Sequence, residues 1–395
     1  MDNIRATNQM EVTVTTSNEM QASDVVLYGY CAPKYERLRE AFARNFRELG
    51  EVGAGYTVIA DGAVVTNLWG GWKDAARQAP WSADTVACVW SVSKAVAGVC
   101  FAILVDRGLI SYGDKVSTYW PEFAAEGKGD VTVAMLLAHQ SGITGFDTPA
   151  TLEDLFAGEP AACRLAAQKP FWNPGERAGY SNVVGILADA LFRRVEGRSI
   201  KQFVADELKA KLGLEISVGL PHADRSRAAD LIESKKLDVT KTVQVTSEAQ
   251  RALINPVVDV PLQATPEFHA SEFFAANCFA NARSLASMCA LLLDAGFDGP
   301  RLVKPDVIAE ATKLRFDGID EVRQMRRSWS AGFLTNHVGD FGPNTAAFGH
   351  GGWGGAFCYA DPVAGVAVGY VMNHMSDQME RNPRRINLVN AVYDI

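Results

Sequence analysis

Trp90-Ser91-Val92-Ser93-Lys94, followed without a break by Ala95-Val-Ala-Gly-Val-Cys-Phe-Ala-Ile-Leu-Val105, is the stretch on which the reading of this chain turns. The run after Lys94 has no polar face, and a helix that is apolar all round is buried all round. Ser91 stands where an N-cap is expected. Arg107-Gly108 supplies a cation for the last turn and then a glycine to end it. Residues three apart on a helix share a face, with Cβ atoms ~5–6 Å apart. Ser91 and Lys94 are therefore expected to point at one spot, at the mouth of a buried helix.

That placement suits covalent catalysis. A serine hydroxyl is a weak nucleophile until a base takes its proton. A lysine can be that base only if its pKa falls, and burial lowers it by penalising the ammonium form. Ser-x-x-Lys alone has little specificity in a chain of this length, so two further stretches decide its meaning. The first is Phe171-Trp-Asn-Pro-Gly175 leading into Tyr180-Ser181-Asn182. A tyrosine beside a lysine can act as a phenolate base and hand on a proton. The plainer alternative is a core tyrosine before a helix capped by Asn182. The second is Phe348-Gly-His-Gly-Gly-Trp-Gly-Gly355. Glycines there let a backbone approach a ligand closely. An N–H from this stretch, paired with that of Ser91, would make an oxyanion hole. The alternative is a bulged edge strand.

The 395 residues suffice for one large core or two domains. At 48% apolar and 21% charged, the composition is that of an ordinary globular protein. A net charge of −8 argues against nucleic acid or an anionic membrane as partner. No apolar run reaches the ~18–20 residues of a membrane span. Residues 1–24 read as a flexible polar leader without the basic-then-apolar pattern of a secretory signal. The seven cysteines are scattered, lack Cys-x-x-Cys spacing and read as reduced thiols, so a cytoplasmic location is expected.

Pro33–Leu49 reads as an amphipathic helix with Leu38, Phe42, Phe46 and Leu49 on one stripe. Gly55–Ala60 and Ala63–Leu68 flank Asp61-Gly62, a hairpin signal. Helices are expected over Val131–His139 with Thr132 as cap, and over Leu155–Lys169, Asn182–Val195, Ile200–Leu212 and Arg283–Ala295. Strands return at Trp329–Asn336, Ala356–Ala360 and Val366–Met372, before a last helix at Pro383–Tyr393. The fold class is α+β: one antiparallel sheet built from both chain ends, flanked by helices, with an inserted mainly helical domain. Residues 25–90 and 325–395 form the sheet domain on this reading, and 91–324 the helical one.

Several alternatives fail on context. Gly349-x-Gly351-x-x-Gly354 matches a dinucleotide fingerprint, but a strand follows it where a helix is required. Gly179-Tyr-Ser-Asn-Val183 lacks the closing glycine of a nucleophile elbow. The six histidines lack metal-ligand spacing, so no metal or cofactor is expected.

Ser91-x-x-Lys94, Tyr180-x-Asn182 and His350-Gly-Gly352, in that order, resemble the three motifs of the serine β-lactamase / penicillin-recognising family. His350-Gly-Gly352 stands in place of that family's Lys-Thr-Gly. Leu136-Leu-Ala-His139-Gln-Ser-Gly-Ile143, Trp172-Asn-Pro-Gly175 and Ala282-Arg-Ser-Leu285 support the match. Trp353-Gly354-Gly355 is similar to the class C-like family VIII carboxylesterases. The resemblance implies a β-lactamase-like fold with the site between sheet and helices. It implies Ser91 as acyl-accepting nucleophile, and Lys94 and Tyr180 as proton-transfer groups. The N–H groups of Ser91 and Trp353 would hold the oxyanion, and Asn182 would orient Lys94 or the substrate. Phe146, His350, Gly352, Trp353 and Gly354 are expected at the substrate, with parts of 217–275. The expected activity is hydrolysis of small apolar carboxylic esters. A β-lactamase or D-amino-acid peptidase, an acyltransferase, and a catalytically dead binding protein stay open as rivals. No pattern in the sequence sets the oligomeric state.

Overall fold

The computed structural model describes residues 12–14, 25–234, 247, 249–293, 297, 301–378 and 381–393. Its core is the pairing of the two chain ends. β3 (Gly53–Ala60) and β4 (Ala63–Gly71) form the expected hairpin. Asp61 and Gly62 both take positive φ, at 49° and 75°, the conformation that a two-residue turn needs to match strand twist. β13 (Val366–Met372) then lies antiparallel to β3, from Val366 opposite Ala60 to Met372 opposite Ala54. Every residue of β3 and β13 is buried, because both faces of the sheet are covered.

On one face, Phe42 of the helix Glu36–Glu48 stacks on Tyr56, with ring centroids 5.8 Å apart. Asn387 of the helix Pro383–Tyr393 donates to the Ala41 carbonyl at 2.7 Å. On the other face the helix Ala282–Ala290 lies so close that a Cβ on Gly369 would stand 2.2 Å from the Ala282 oxygen.

Among the described residues the antiparallel sheet has ten strands. The remaining members are β1 (Val12–Val14), β2 (Val25–Cys31), β8 (Phe316–Ile319), β9 (Arg326–Trp329), β10 (Leu334–Thr335), β11 (Phe348–Gly351) and β12 (Phe357–Asp361). The spatial order is β1-β2-β4-β3-β13-β12-β11-β10-β9-β8. A second sheet, β5 (Ala87–Cys88), β7 (Cys278–Ala280) and β6 (Ile216–Val218), leads into the nucleophile region and had no periodic signal of its own. Of the expected leader, only Val12–Val14 lie among the described residues, as an edge strand on β2; the rest lies outside them.

The helix Ser93–Asp106 is buried from Ser93 to Leu104, as its apolar sequence requires. It ends at Arg107 and Gly108, the latter at φ 70°. Ser91 does not cap it: Val92 is the N-cap, and the first turn is tightened by Lys94 N–H donating to Ser91 O at 3.0 Å. Thr132 does cap Val133–Leu137, accepting from Met135 N–H.

Four expectations differ in detail. Leu155–Lys169 is two helices, Leu152–Phe156 and Glu159–Ala167, because Gly158 takes φ 65° and Pro160 begins the second. Ile200–Leu212 starts as α-helix to Phe203 and continues as π-helix through Val204–Ala210. Trp329–Asn336 is broken between β9 and β10 by a turn in which Ser330 N–H donates to Phe333 O. The sheet also takes in β8 at Phe316, upstream of residue 325. All seven cysteines are free thiols; Cys163 is exposed and the others are buried.

Candidate active site

Ser91 stands at a sharp bend. Trp90 before it has φ 46°, a conformation that costs a bulky side chain strain and persists only where its surroundings enforce it. The Trp90 ring is packed against Trp353 at 5.0 Å and Phe268 at 5.8 Å. Lys94, one turn on, reaches back as the shared face predicts: its Nζ donates to Ser91 Oγ at 3.2 Å. Nζ also faces Tyr180 OH at 3.1 Å, Asn182 Oδ1 at 3.1 Å and the Ala275 carbonyl at 3.0 Å. The Tyr180 hydroxyl donates to Ser91 Oγ. Ser91, Lys94 and Tyr180 thus form a closed triangle of hydrogen-bonded atoms.

Burial pushes the Lys94 pKa down, with Arg323 adding to the effect and Tyr180 opposing it. The amine form that a base needs is favoured accordingly. Asn182 precedes the helix Val183–Glu196 but does not cap it; its side chain is turned to Lys94. The side-chain acceptor at that helix start is Ser181 Oγ, taking the Val183 N–H at 3.0 Å. Ser181 is buried and donates to Thr144 O, so it is not presented to a substrate.

The glycine-rich stretch is not an edge. It is β11 and the turn that joins it to β12, deep in the sheet order. A Cβ on Gly352 would lie 2.2 Å from the Val89 carbonyl oxygen, so only glycine lets this turn approach the residues leading to Ser91. Within the turn Gly352 N–H donates to Ala356 O and Gly355 N–H to Gly352 O. The Trp353 N–H has no protein acceptor among the described residues.

His350 is buried, with Nδ1 against Gly351 O at 2.7 Å, which places the proton on Nδ1 and leaves Nε2 unpaired among the described residues. Burial, then Lys94, pushes its pKa down to about 3, so it is neutral. His139 is driven well below its usual value by the same two causes, with His350 adding to them.

Ser91, Tyr180, Asn182, His350, Gly352 and Trp353 line one open cavity of ≈ 190 Å³. Phe146 does not: it is fully buried, with the Arg164 guanidinium 4.5 Å over its ring. Its carbonyl instead accepts from Asn255, supporting the loop whose Leu253, Pro256 and Val258 are the apolar wall. Gly354 lies behind the turn against Met375, outside the lining. The same lining carries Arg323, Arg327, Asp340 and Arg385, which no motif in the sequence marks, with Arg385 bonded to Asp340 at 2.8 Å. These side chains come from separate elements and share no local pattern. The apolar residues around Pro256 in 249–258 are the sequence signal for the apolar part of the lining, and they fall within the 217–275 expected at the substrate.

A family model described as Beta-lactamase matches residues 42–392. The chain belongs to the beta-lactamase family. Within that family it is 30% identical, over 361 residues, to the Esterase/beta-lactamase LipL of Mycobacterium tuberculosis, covering 88% of this chain and 83% of that one. The crystal structure of a family VIII carboxylesterase superposes with a TM-score of 0.88 at 36% identity, covering 93% of this chain and 99% of the other. A penicillin-binding protein homologue from Caulobacter crescentus superposes with a TM-score of 0.84 at 34% identity, covering the same shares. The resemblance drawn from the three motifs therefore holds, and so does the β-lactamase-like fold. Among the described residues, no helix is long and apolar enough to cross a membrane.

Proposed function

We propose that this protein is a serine carboxylesterase working through an acyl-enzyme on Ser91. The hydrolase class follows from the family and from the esterases it resembles. The finer reading rests on one observation, the triangle of Ser91 Oγ, Lys94 Nζ and Tyr180 OH. Ser91 Oγ attacks the ester carbonyl while its proton passes to the Lys94–Tyr180 pair. The oxyanion accepts hydrogen bonds from the Ser91 and Trp353 N–H groups. The pair then protonates the leaving alcohol as the C–O bond breaks. Water takes the alcohol's place and gives a proton to the same pair; its oxygen attacks the acyl carbonyl, and the pair returns that proton to Ser91 Oγ as the C–Oγ bond breaks and the acid leaves.

The apolar wall of Leu253, Pro256 and Val258 and the neutral His350 suit a short uncharged acyl group. Arginines in the same lining favour a second reading, β-lactam hydrolysis, since a lactam's carboxylate can pair with guanidinium groups. The deciding comparison is kcat/KM on nitrophenyl esters of C2 to C6 acids against nitrocefin and a penicillin. The ester reading expects the butyrate to exceed both lactams. Equal or better turnover of either lactam would replace it with the second. A fluorophosphonate probe that fails to label Ser91 would remove both.

A further inference from the structure

The triangle works only if the Tyr180 hydroxyl is held between Ser91 and Lys94, and the residue that holds it lies 140 positions away. Asp320 is fully buried in the turn joining β8 to β9. Its Oδ2 accepts from Tyr180 N–H at 2.8 Å and from the Trp329 indole N–H at 3.3 Å. Its Oδ1 accepts from Tyr180 N–H at 3.1 Å, Val322 N–H at 3.0 Å and Arg323 N–H at 2.9 Å. These neighbours are all donors, so the carboxylate is the form that satisfies them.

Val322 and Arg323 belong to Asp320's own turn, and an ordinary Asx turn accounts for those two bonds. The bonds to Tyr180 and Trp329 have no such local cause. Trp329 lies on the face of Tyr180, with ring centroids 5.5 Å apart and planes 10° from parallel. Asp320 therefore grips Tyr180 twice, by its main-chain N–H and through the indole stacked on its ring. A further bond, Glu321 N–H to Ala178 O at 2.9 Å, docks the same segment on the turn. The rings of His139 at 5.1 Å and His350 at 6.2 Å also pack on Tyr180.

We propose that Asp320, acting with Trp329, is a positioning residue that holds the Tyr180 hydroxyl between Ser91 and Lys94. This rests on the reading of Tyr180 as a proton-transfer group. An error of ~1 Å in such a group can cost ~10²-fold in rate. Asp320→Asn keeps the shape but turns an NH2 toward donors, loosening the grip.

The test is a double-mutant cycle on the full-length protein. Asp320→Asn is expected to lower kcat on nitrophenyl butyrate by about 10–100-fold, with KM within about threefold. Trp329→Phe keeps an aromatic ring for the stack and loses the indole bond with some buried volume, so its loss should be smaller, about 3–10-fold. The rate of Ser91 labelling by an alkyl fluorophosphonate can be followed even in slow variants. In a Tyr180→Phe background, Asp320→Asn and Trp329→Phe should each change that rate by less than about twofold, because the residue they position has lost its hydroxyl. Equal factors in both backgrounds would make the role merely structural and overturn the proposal, as would wild-type kcat in Asp320→Asn. If Asp320→Asn does not fold, Trp329→Phe decides by the same cycle. Wild-type labelling in Tyr180→Phe would bring down the reading of Tyr180 instead, and the inference with it.

Discussion

Gly352→Ala tests the oxyanion arrangement with one added methyl. The new Cβ would fall 2.2 Å from the Val89 carbonyl oxygen, while ordinary contact begins near 3.4 Å. The turn must therefore retreat by roughly 1 Å from the segment that carries Ser91, and Trp353 N–H retreats with it. Loss of one preorganised oxyanion donor costs ~10²–10³ in kcat, or ~2.7–4 kcal/mol. The expected result is a fall in kcat of about 10²-fold on nitrophenyl butyrate with a small change in KM. Gly351→Ala is the internal control. A Cβ there meets only Arg385 Nη1, at 3.7 Å, so the same methyl one residue earlier should leave kcat within about threefold. Steady-state kinetics and thermal melts of both variants make the comparison. A Gly352→Ala enzyme within threefold of wild type, or a Gly351→Ala enzyme equally impaired, would refute the argument.

Ser91→Ala should lower kcat by at least ~10³, and Lys94→Ala and Tyr180→Phe by ~10² or more each, while Ser181→Ala stays mild in kcat; a dead Ser181→Ala beside an active Ser91→Ala would reverse the assignment. His350 is neutral in the fold down to about pH 3, whereas in the unfolded chain it takes a proton near ~6.5. The stability it contributes is therefore present above ~6.5 and is lost as pH falls toward 3, by up to ~1.4 kcal/mol per pH unit. Urea titrations from pH 7 to 4.5 should show a shallower loss in His350→Gln than in wild type, and identical slopes would contradict the buried neutral imidazole. Arg384 and Glu51 form a buried pair at 2.7 Å that ties the last helix to the segment before β3. Arg384→Met leaves the Glu51 carboxylate without its cation, held only by the Tyr370 hydroxyl, and should destabilise by ~3–5 kcal/mol in urea unfolding; a shift under ~1 kcal/mol would mean water reaches the pair.

Features that repeat locally or sit at fixed short spacing were legible in the order of residues alone. The apolar run after Lys94 dictated a buried helix, Asp61-Gly62 a hairpin, Thr132 a cap, and Ser91-x-x-Lys94 a shared face. Each depends on residues within a few positions, where backbone geometry leaves few choices. The order of three motifs was enough for the family. Contacts between distant segments emerge only once the chain is folded. Asn182, which local rules read as a cap, turns its Oδ1 to Lys94 Nζ instead, and Ser181 Oγ takes the Val183 N–H. Phe146 sinks beneath the wall it was expected to face, since its ring is better buried under Arg164 than wetted at a cavity mouth. Arg323, Arg327, Asp340 and Arg385 line one cavity, and Asp320 finds Tyr180 from 140 positions away. Such meetings are set by sheet order and by the packing of β8 and β9 beside the site, and no periodicity in a single stretch records them.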